Sequence, residues 1–171
     1  MAIDKTHFLA ALKQHFHEQL DIARKASADA AVAAQTFATE SEKKEDSRAM
    51  LEFSSVSKGQ MMRAQGARDA LQLLDHFAKQ GALSFTRRTP IGLGALVDVR
   101  MDTGEGDEER TFLLLPCGAG TELSGPGGDG FVSVVTPNSP VGKQLLGKRV
   151  GETFDMTIKG DAYEWQVLDV A

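Results

Sequence analysis

Hydrophobic spacing divides the chain near residue 80. From Asp4 to Phe37, apolar or small side chains recur at Leu9, Leu12, Phe16, Leu20, Ala23, Ala26, Ala30, Ala34 and Phe37 in steps of three and four, the spacing that lays one stripe along a helix. No Pro or Gly falls between Met1 and Lys58 to break it. At about 1.5 Å per residue the segment predicts a rod on the order of 50 Å long. A second helical segment runs from about Ser47 to Lys79, with a seam at Val56, Gly59, Met62, Gly66, Ala70, Leu73 and Phe77. Gly59 and Gly66 each cost about 1 kcal/mol relative to Ala inside a helix, a cost that a close helix contact would offset. Matched lengths around a short polar break, Glu40-Ser41-Glu42-Lys43-Lys44-Glu45-Asp46, predict an antiparallel coiled-coil hairpin over residues 1–80. Large residues would sit at its base, small ones along its middle and acids at its tip. A parallel homodimeric zipper is the competitor, and the alanine-rich seam and the polar break count against it. The tip acids read either as carboxylates held out toward a partner or as an ordinary solvated turn.

Beyond Gly81 the period becomes two. Val97, Val99 and Met101 alternate with Asp98, Arg100 and Asp102, and Phe154, Met156 and Ile158 alternate with Asp155, Thr157 and Lys159, as half-buried strands do. Leu83–Arg87, Arg110–Leu115, Phe131–Thr136 and Tyr163–Val170 are further strand candidates. Gly104–Glu109 predicts an acidic hairpin loop and Gly125–Gly130 a turn-rich connection. The latter is no phosphate cradle, because a strand and not a helix follows it. One short helix fits: Ser139 as N-cap, Pro140 at the first helical position, and Gly147 ending Val141–Leu146. Residues 81–171 therefore predict a small, mostly antiparallel sheet with one short helix, and the whole chain an α+β fold.

Charge narrows the choice of function. The net charge is −5, with eleven basic and eleven acidic residues in the first 80 and eight against thirteen in the remainder. Duplex DNA binding through the phosphate backbone needs a basic excess, so sequence-specific or non-specific DNA binding is not expected. No apolar run reaches the roughly 18 residues of a membrane span, and the N-terminal residues lack a basic stretch followed by an apolar one. Cys117 is the only cysteine, so a reducing, cytoplasmic setting is expected. His15 and His17, two apart on a helix, point to different faces and cannot chelate one metal. His7 and His76 read as packing or surface residues near the base of the arm.

The stretch from Thr136 to Glu152, Thr-Pro-Asn-Ser-Pro-Val-Gly-Lys-Gln-Leu-Leu-Gly-Lys-Arg-Val-Gly-Glu, resembles the C-terminal signature of the Gre family of bacterial transcript-cleavage factors. The likeness continues into the last strand and, in architecture, into the preceding hairpin. It implies an FKBP-like C-terminal domain that docks at the rim of the secondary channel of bacterial RNA polymerase. The coiled coil would enter that channel and approach the nascent RNA 3′ end. Such a factor is not itself an enzyme and has no cofactor of its own. Acids at its tip help hold a second Mg²⁺ at the polymerase active site and stimulate the polymerase's own cleavage of backtracked RNA. Mg²⁺ keeps much of its water and is commonly held by one or two carboxylates plus phosphate oxygens, and two metals straddling a phosphodiester stabilise the attacking and leaving oxygens.

The family's tip reads roughly Gly-Asp-Leu-x-Glu-Asn-Ala-Glu-Tyr. On this match Glu42 stands where the Asp is, Glu45 where the first Glu is, Asp46 in place of the Asn and Arg48 in place of the second Glu. The resemblance thus assigns Glu42, Glu45 and Asp46 to the metal-assisting tip, with Glu42 and Glu45 as ligands of the shared Mg²⁺. The turn lacks its Gly and Tyr, Glu42 is one methylene longer than Asp, and Lys43 and Lys44 partly neutralise the site. A channel-binding regulator or inhibitor without cleavage activity is therefore the alternative. Docking is assigned to Asn138, Ser139, Pro140 and Lys143, a turn that also reads as a plain folding element. Arg48, Lys58 and Arg63, with Arg24, Lys25 and Arg68, read as an RNA-steering stripe or, more simply, as a solvated coiled-coil face. A peptidyl-prolyl isomerase is the third reading. It is disfavoured because Phe85, Phe112, Phe131, Phe154, Tyr163 and Trp165 mostly fall on strand-core positions and do not suggest an open proline pocket.

Overall fold

The computed structural model describes residues 5–40, 44–81, 84–102, 106–128, 130–158 and 160–171, and leaves the side chains of 37–40 and 44–47 outside that description. Its elements are α1 (Lys5–Glu40), α2 (Lys44–Lys79), β1 (Leu96–Asp102), β2 (Asp107–Leu114), β3 (Glu122–Ser124), β4 (Phe131–Val135), α3 (Pro140–Leu145), β5 (Thr153–Ile158) and β6 (Asp161–Val170). Both long helices have 36 residues and run further into the polar break than hydrophobic spacing alone indicated. Ala, Glu and Lys are good helix formers, so polarity by itself does not end a helix.

Chain contacts separate Lys13–Gln72 as one compact unit; the N-terminal residues through Leu12 group with Leu73–Ala171 as the other. In the first unit Leu20 and Ala23 of α1 pack against Ala64, Ala67 and Leu71 of α2, with Phe16 at the margin. The pairing is antiparallel: low numbers on α1 meet high numbers on α2. Further out, Ser27 and Ser57 bond reciprocally, each hydroxyl donating to the other's carbonyl oxygen at 3.3 and 3.1 Å. The α1 stripe follows the expected spacing, with Leu12, Leu20, Ala23, Ala30 and Ala34 buried.

The α2 seam follows the expected one only at Ala70 and Phe77, both buried. Ala64, Ala67, Leu71 and Leu74 are buried as well, whereas Val56, Met62 and Leu73 are exposed. Two apolar stripes compete on α2, and the one that places alanines opposite alanines lets the backbones approach. Gly59 and Gly66 consequently lie off the seam, and a Cβ added at either meets nothing within 4 Å. No packing gain offsets their helix cost. Gly59→Ala and Gly66→Ala should each stabilise the hairpin by about 1 kcal/mol, read as a rise in the denaturant midpoint followed by far-ultraviolet circular dichroism. A fall at either position would mean that the glycine serves a contact.

In the second unit one six-stranded sheet has the order β3-β4-β2-β1-β6-β5. β1 and β2 form a hairpin closing at Asp102↔Asp107, and β5 and β6 one closing at Ile158↔Asp161. β6 returns antiparallel onto β1 with a bulge between Asp98 and Val99. β2 and β4 pair in parallel, and the β3–β4 hairpin makes that crossover possible. Asp107, Glu108 and Glu109, expected in the hairpin loop, instead begin β2. The expected strand at Leu83–Arg87 is absent from its described part. Thr86 and Thr89 close a turn there, joined through their hydroxyls at 2.8 Å and by the Thr89 N–H donating to the Thr86 carbonyl. Phe85 reaches the core from this loop.

That core unites Val97, Val99 and Met101 of β1 with Phe112, Leu114, Trp165, Val167, Phe154 and Leu145 of α3. Alternation puts Leu113 and Val134 on the opposite face, also buried. The helix bases belong to this unit: the His7 Nε2 lies 3.2 Å from the Ser124 carbonyl oxygen, and Lys5 Nζ sits 4.9 Å from the centre of the Phe85 ring. Burial lowers the Lys5 ammonium below its ordinary range and raises the Cys117 thiol above its own, leaving Cys117 a poor nucleophile at neutral pH. Trp165 stacks on Phe112 at 5.8 Å and tilts against Phe154 at 5.7 Å. These three aromatics are filled core.

Candidate functional site

Two places carry the chemistry expected from the sequence: the connection between α1 and α2, and the turn that opens α3. At the first, Glu42 lies outside the described residues, and Glu45 and Asp46 belong to the opening turn of α2, with side chains outside the description as well. The helix boundaries leave residues 41–43 between α1 and α2, so all three acids lie within a few residues of the reversal. Asp or Glu in the first turn of a helix is favoured by the helix dipole. An acidic pair there is compatible with hairpin formation as well as with chemistry.

The basic residues near this end do not make a stripe. At about 100° per residue, Arg48, Lys58 and Arg63 spread over roughly 140° of α2. All three are exposed. Arg48 pairs with Glu52 one turn on, at 4.0 Å with both side chains largely in water, which is worth a few tenths of a kcal/mol at most. Arg63 instead lines a shallow groove with Phe16, Gln19, Ile22, Gln60 and Gly66.

The α3 turn is built around Ser139. Its hydroxyl accepts from the Gly142 N–H at 3.1 Å and the Thr136 N–H at 3.2 Å, and donates to the Thr136 carbonyl at 2.8 Å. Pro140 occupies the first turn, where its missing N–H costs nothing. Gly147, with φ +83°, follows the C-terminal end, and Leu145, fully buried, seats the helix on the sheet. This arrangement leaves Asn138, Pro140 and Lys143 exposed while Ser139 is partly buried with its hydroxyl fully engaged. Ser139 shapes the surface; its three neighbours present it. Ser139→Ala should cost about 1–2 kcal/mol, as loss of a strong N-cap does, measured in urea by the fluorescence of Trp165.

Two residues of this turn were not singled out by sequence reasoning. Thr136 supplies the backbone groups that Ser139 bridges, and Gly142 passes so close that a Cβ there would lie 1.9 Å from the Thr136 carbonyl oxygen. A glycine two residues past Pro140, inside a helix that disfavours it, was the available signal. Among the described residues no group of three His, Cys, Asp or Glu side chains is placed to hold a metal ion. None of their helices is long and apolar enough to cross a membrane.

The C-terminal half matches known proteins. Residues 88–171 fit the family model described as "Transcription elongation factor, GreA/GreB, C-term". The transcription elongation factor GreA of Aliarcobacter butzleri is 33% identical over 81 residues, which are 47% of this chain and 44% of that protein. GreA of Streptococcus pneumoniae is 29% identical over 80 residues, with the same coverage. The chain thus spans less than half the length of the curated relatives it matches. Among solved structures, GreA factor homolog 1 (Gfh1) of Thermus thermophilus is similar at 19% identity, with 94% of this chain and 95% of that one covered and a TM-score of 0.36. Another structure of the transcription factor Gfh1 gives 23% identity, 94% and 93% coverage and a TM-score of 0.38. Over residues 88–171, which hold the sheet and the Ser139 turn, this chain carries a C-terminal domain of the GreA/GreB transcription elongation factor family.

Proposed function

We propose that this protein binds bacterial RNA polymerase, inserts its helical hairpin into the secondary channel and stimulates the polymerase's own cleavage of backtracked RNA. The observation that carries this reading is the joining of a GreA/GreB C-terminal domain to an antiparallel hairpin whose reversal holds Glu42 and Glu45. In this reading the protein is an accessory factor and the nucleolytic chemistry is the polymerase's. Glu42 and Glu45, three residues apart in sequence, would supply carboxylates to an Mg²⁺ shared with the polymerase and the RNA phosphates, and Asp46 would add negative charge to the same stretch. Two carboxylates would suffice, because Mg²⁺ is commonly held by one or two carboxylates together with water and phosphate oxygens. Held there, the ion would supply charge stabilisation for the attacking and leaving oxygens of the phosphodiester, and the role of the two glutamates would be to hold it. Asn138, Pro140 and Lys143, positioned by Ser139, form the docking turn. Arg48, Lys58 and Arg63 act as separate exposed cations along α2, whose attraction for RNA falls with salt.

A second reading keeps the docking and loses the cleavage. It is favoured by the composition of the reversal itself, where Lys43 and Lys44 stand between the two glutamates and Arg48 follows. The test is a transcript-cleavage assay on backtracked bacterial elongation complexes with Mg²⁺. Shortened RNA supports the first reading. No cleavage together with displacement of another channel-entering factor supports the second, and neither effect refutes both.

A further inference from the structure

The C-terminal domain has more acids than bases, thirteen against eight in residues 81–171, yet among the described residues some of its cations form no ion pair. Arg87 pairs with Asp169 at 3.2 Å, Arg110 with Glu108 at 3.1 Å, and Arg100 lies between Asp107 and Glu109 at 3.6 and 3.9 Å. Arg88, Lys143, Lys148 and Arg149 form no ion pair among the described residues. They are brought to one region by the backbone. The Ile91 N–H donates to the Lys148 carbonyl and the Gly147 N–H to the Ile91 carbonyl, both at 2.8 Å, which clamps the segment after Arg88 to the turn after α3. The Arg149 Nε then donates to the Arg88 carbonyl at 3.3 Å, laying one guanidinium across the backbone of the other arginine. Lys148 Nζ sits 5.5 Å from the centre of the Phe154 ring. The nearest acid in sequence, Glu152, accepts from the Arg149 backbone N–H at 2.6 Å, so its carboxylate is turned to the main chain.

We propose that Arg88 and Arg149, flanked by Lys148 and by Lys143 on α3, form a docking patch for an acidic segment of the partner polymerase. This rests on the reading that polymerase is the partner, and it adds the chemistry of the contact. Guanidinium forks match carboxylates in a bidentate manner that ammonium groups cannot reproduce. A nucleic-acid backbone fits less well: thirteen acids against eight bases in residues 81–171 repel a long polyanion, whereas a short acidic segment brings few charges and meets only the local patch.

The experiment titrates the full-length protein, fluorescently labelled at its N-terminus, with core bacterial RNA polymerase at several salt concentrations. It compares wild type, Arg88→Glu/Arg149→Glu and Arg88→Gln/Arg149→Gln. The charge-reversed protein should bind roughly tenfold more weakly or worse, and the Gln variant should show a flatter dependence on salt, as loss of interfacial charge pairs does. If wild type binds and both arginine variants bind equally well with the same salt dependence, the patch proposal is overturned while the partner reading stands. If wild type fails to bind, the partner reading falls and the patch proposal with it. Wild-type binding to single-stranded RNA that the arginine variants lose, with polymerase binding intact, would overturn the acidic-segment assignment. Thermal melts check the fold. Arg88→Glu alone, at a side chain with no partner among the described residues, keeps the test decisive if the double variant melts early, with about threefold weaker binding expected and none overturning the proposal.

Discussion

Gly142→Ala is expected to destabilise the C-terminal domain by about 3 kcal/mol or more, a larger loss than removing the cap itself. Gly142 is in the first turn of a helix, where Ala would ordinarily be the better residue by about 1 kcal/mol. That gain is overwhelmed because the added Cβ would sit 1.9 Å from the Thr136 carbonyl oxygen, 2.7 Å from its carbon and 2.9 Å from the Ser139 Oγ. Two of these three are backbone atoms, which no rotamer change can move. Relief requires the 136–139 turn to open, breaking the hydroxyl bridge from Ser139 to Thr136 and freeing the Gly142 N–H. Trp165, buried and alone of its kind in the chain, reports the melt. A midpoint fall on the order of 10–20 °C is expected for a unit of this size. A fall no greater than that of Ser139→Ala would show that the turn yields easily and that Gly142 is not what holds it. The same variant should weaken docking, since Asn138 and Pro140 ride on the turn that opens.

What could be read from the chain beforehand followed from patterns with a single physical solution. The α1 stripe was legible because large residues give way to alanines at an unbroken three-four spacing, and α3 was legible because Ser139, Pro140 and Gly147 each suit only one position of a short helix. The α2 seam was not, since Gly59, Met62 and Gly66 make a second stripe that spacing cannot distinguish from Ala64, Ala67 and Leu71; only the closeness of the partner helix decides. β3 is three residues long, too short for alternation to show, and the parallel pairing of β2 with β4 depends on that strand. Leu83–Arg87 has apolar residues suited to a strand, but the Thr86–Thr89 turn competes for its backbone. Of the candidate site, the acids were visible by type and position. The roles of Thr136 and Gly142 were not, because they arise from a backbone approach between residues six apart.

Glu42→Ala/Glu45→Ala should reduce transcript cleavage on backtracked complexes by at least about a hundredfold, the upper end of what even a supporting residue of a metal site contributes, while leaving polymerase affinity within about twofold. The separation of effects follows from where the residues stand. The acids lie at the reversal between α1 and α2, and the Ser139 turn lies in the other compact unit, so truncating one leaves the other's bonds intact. Folding should be nearly unchanged, because the core of the hairpin is the Leu20–Ala23–Ala64–Ala67–Leu71 cluster and the glutamates contribute at most dipole and surface terms of a few tenths of a kcal/mol. If the carboxylates act by holding Mg²⁺, raising its concentration should restore part of the lost rate in the single variants, where one ligand remains, and much less in the double variant. Glu42→Asp keeps a carboxylate while shortening the reach by one methylene, and should cleave at least as well as wild type. Cleavage that survives the double substitution would remove the metal role from these residues and leave Asp46 as the acid to test. Absence of cleavage in every form, with polymerase binding intact, would mean that Lys43 and Lys44 have already disabled the pair. Replacing both lysines by alanine should then raise cleavage from zero, since it removes two positive charges beside the metal site without touching either ligand.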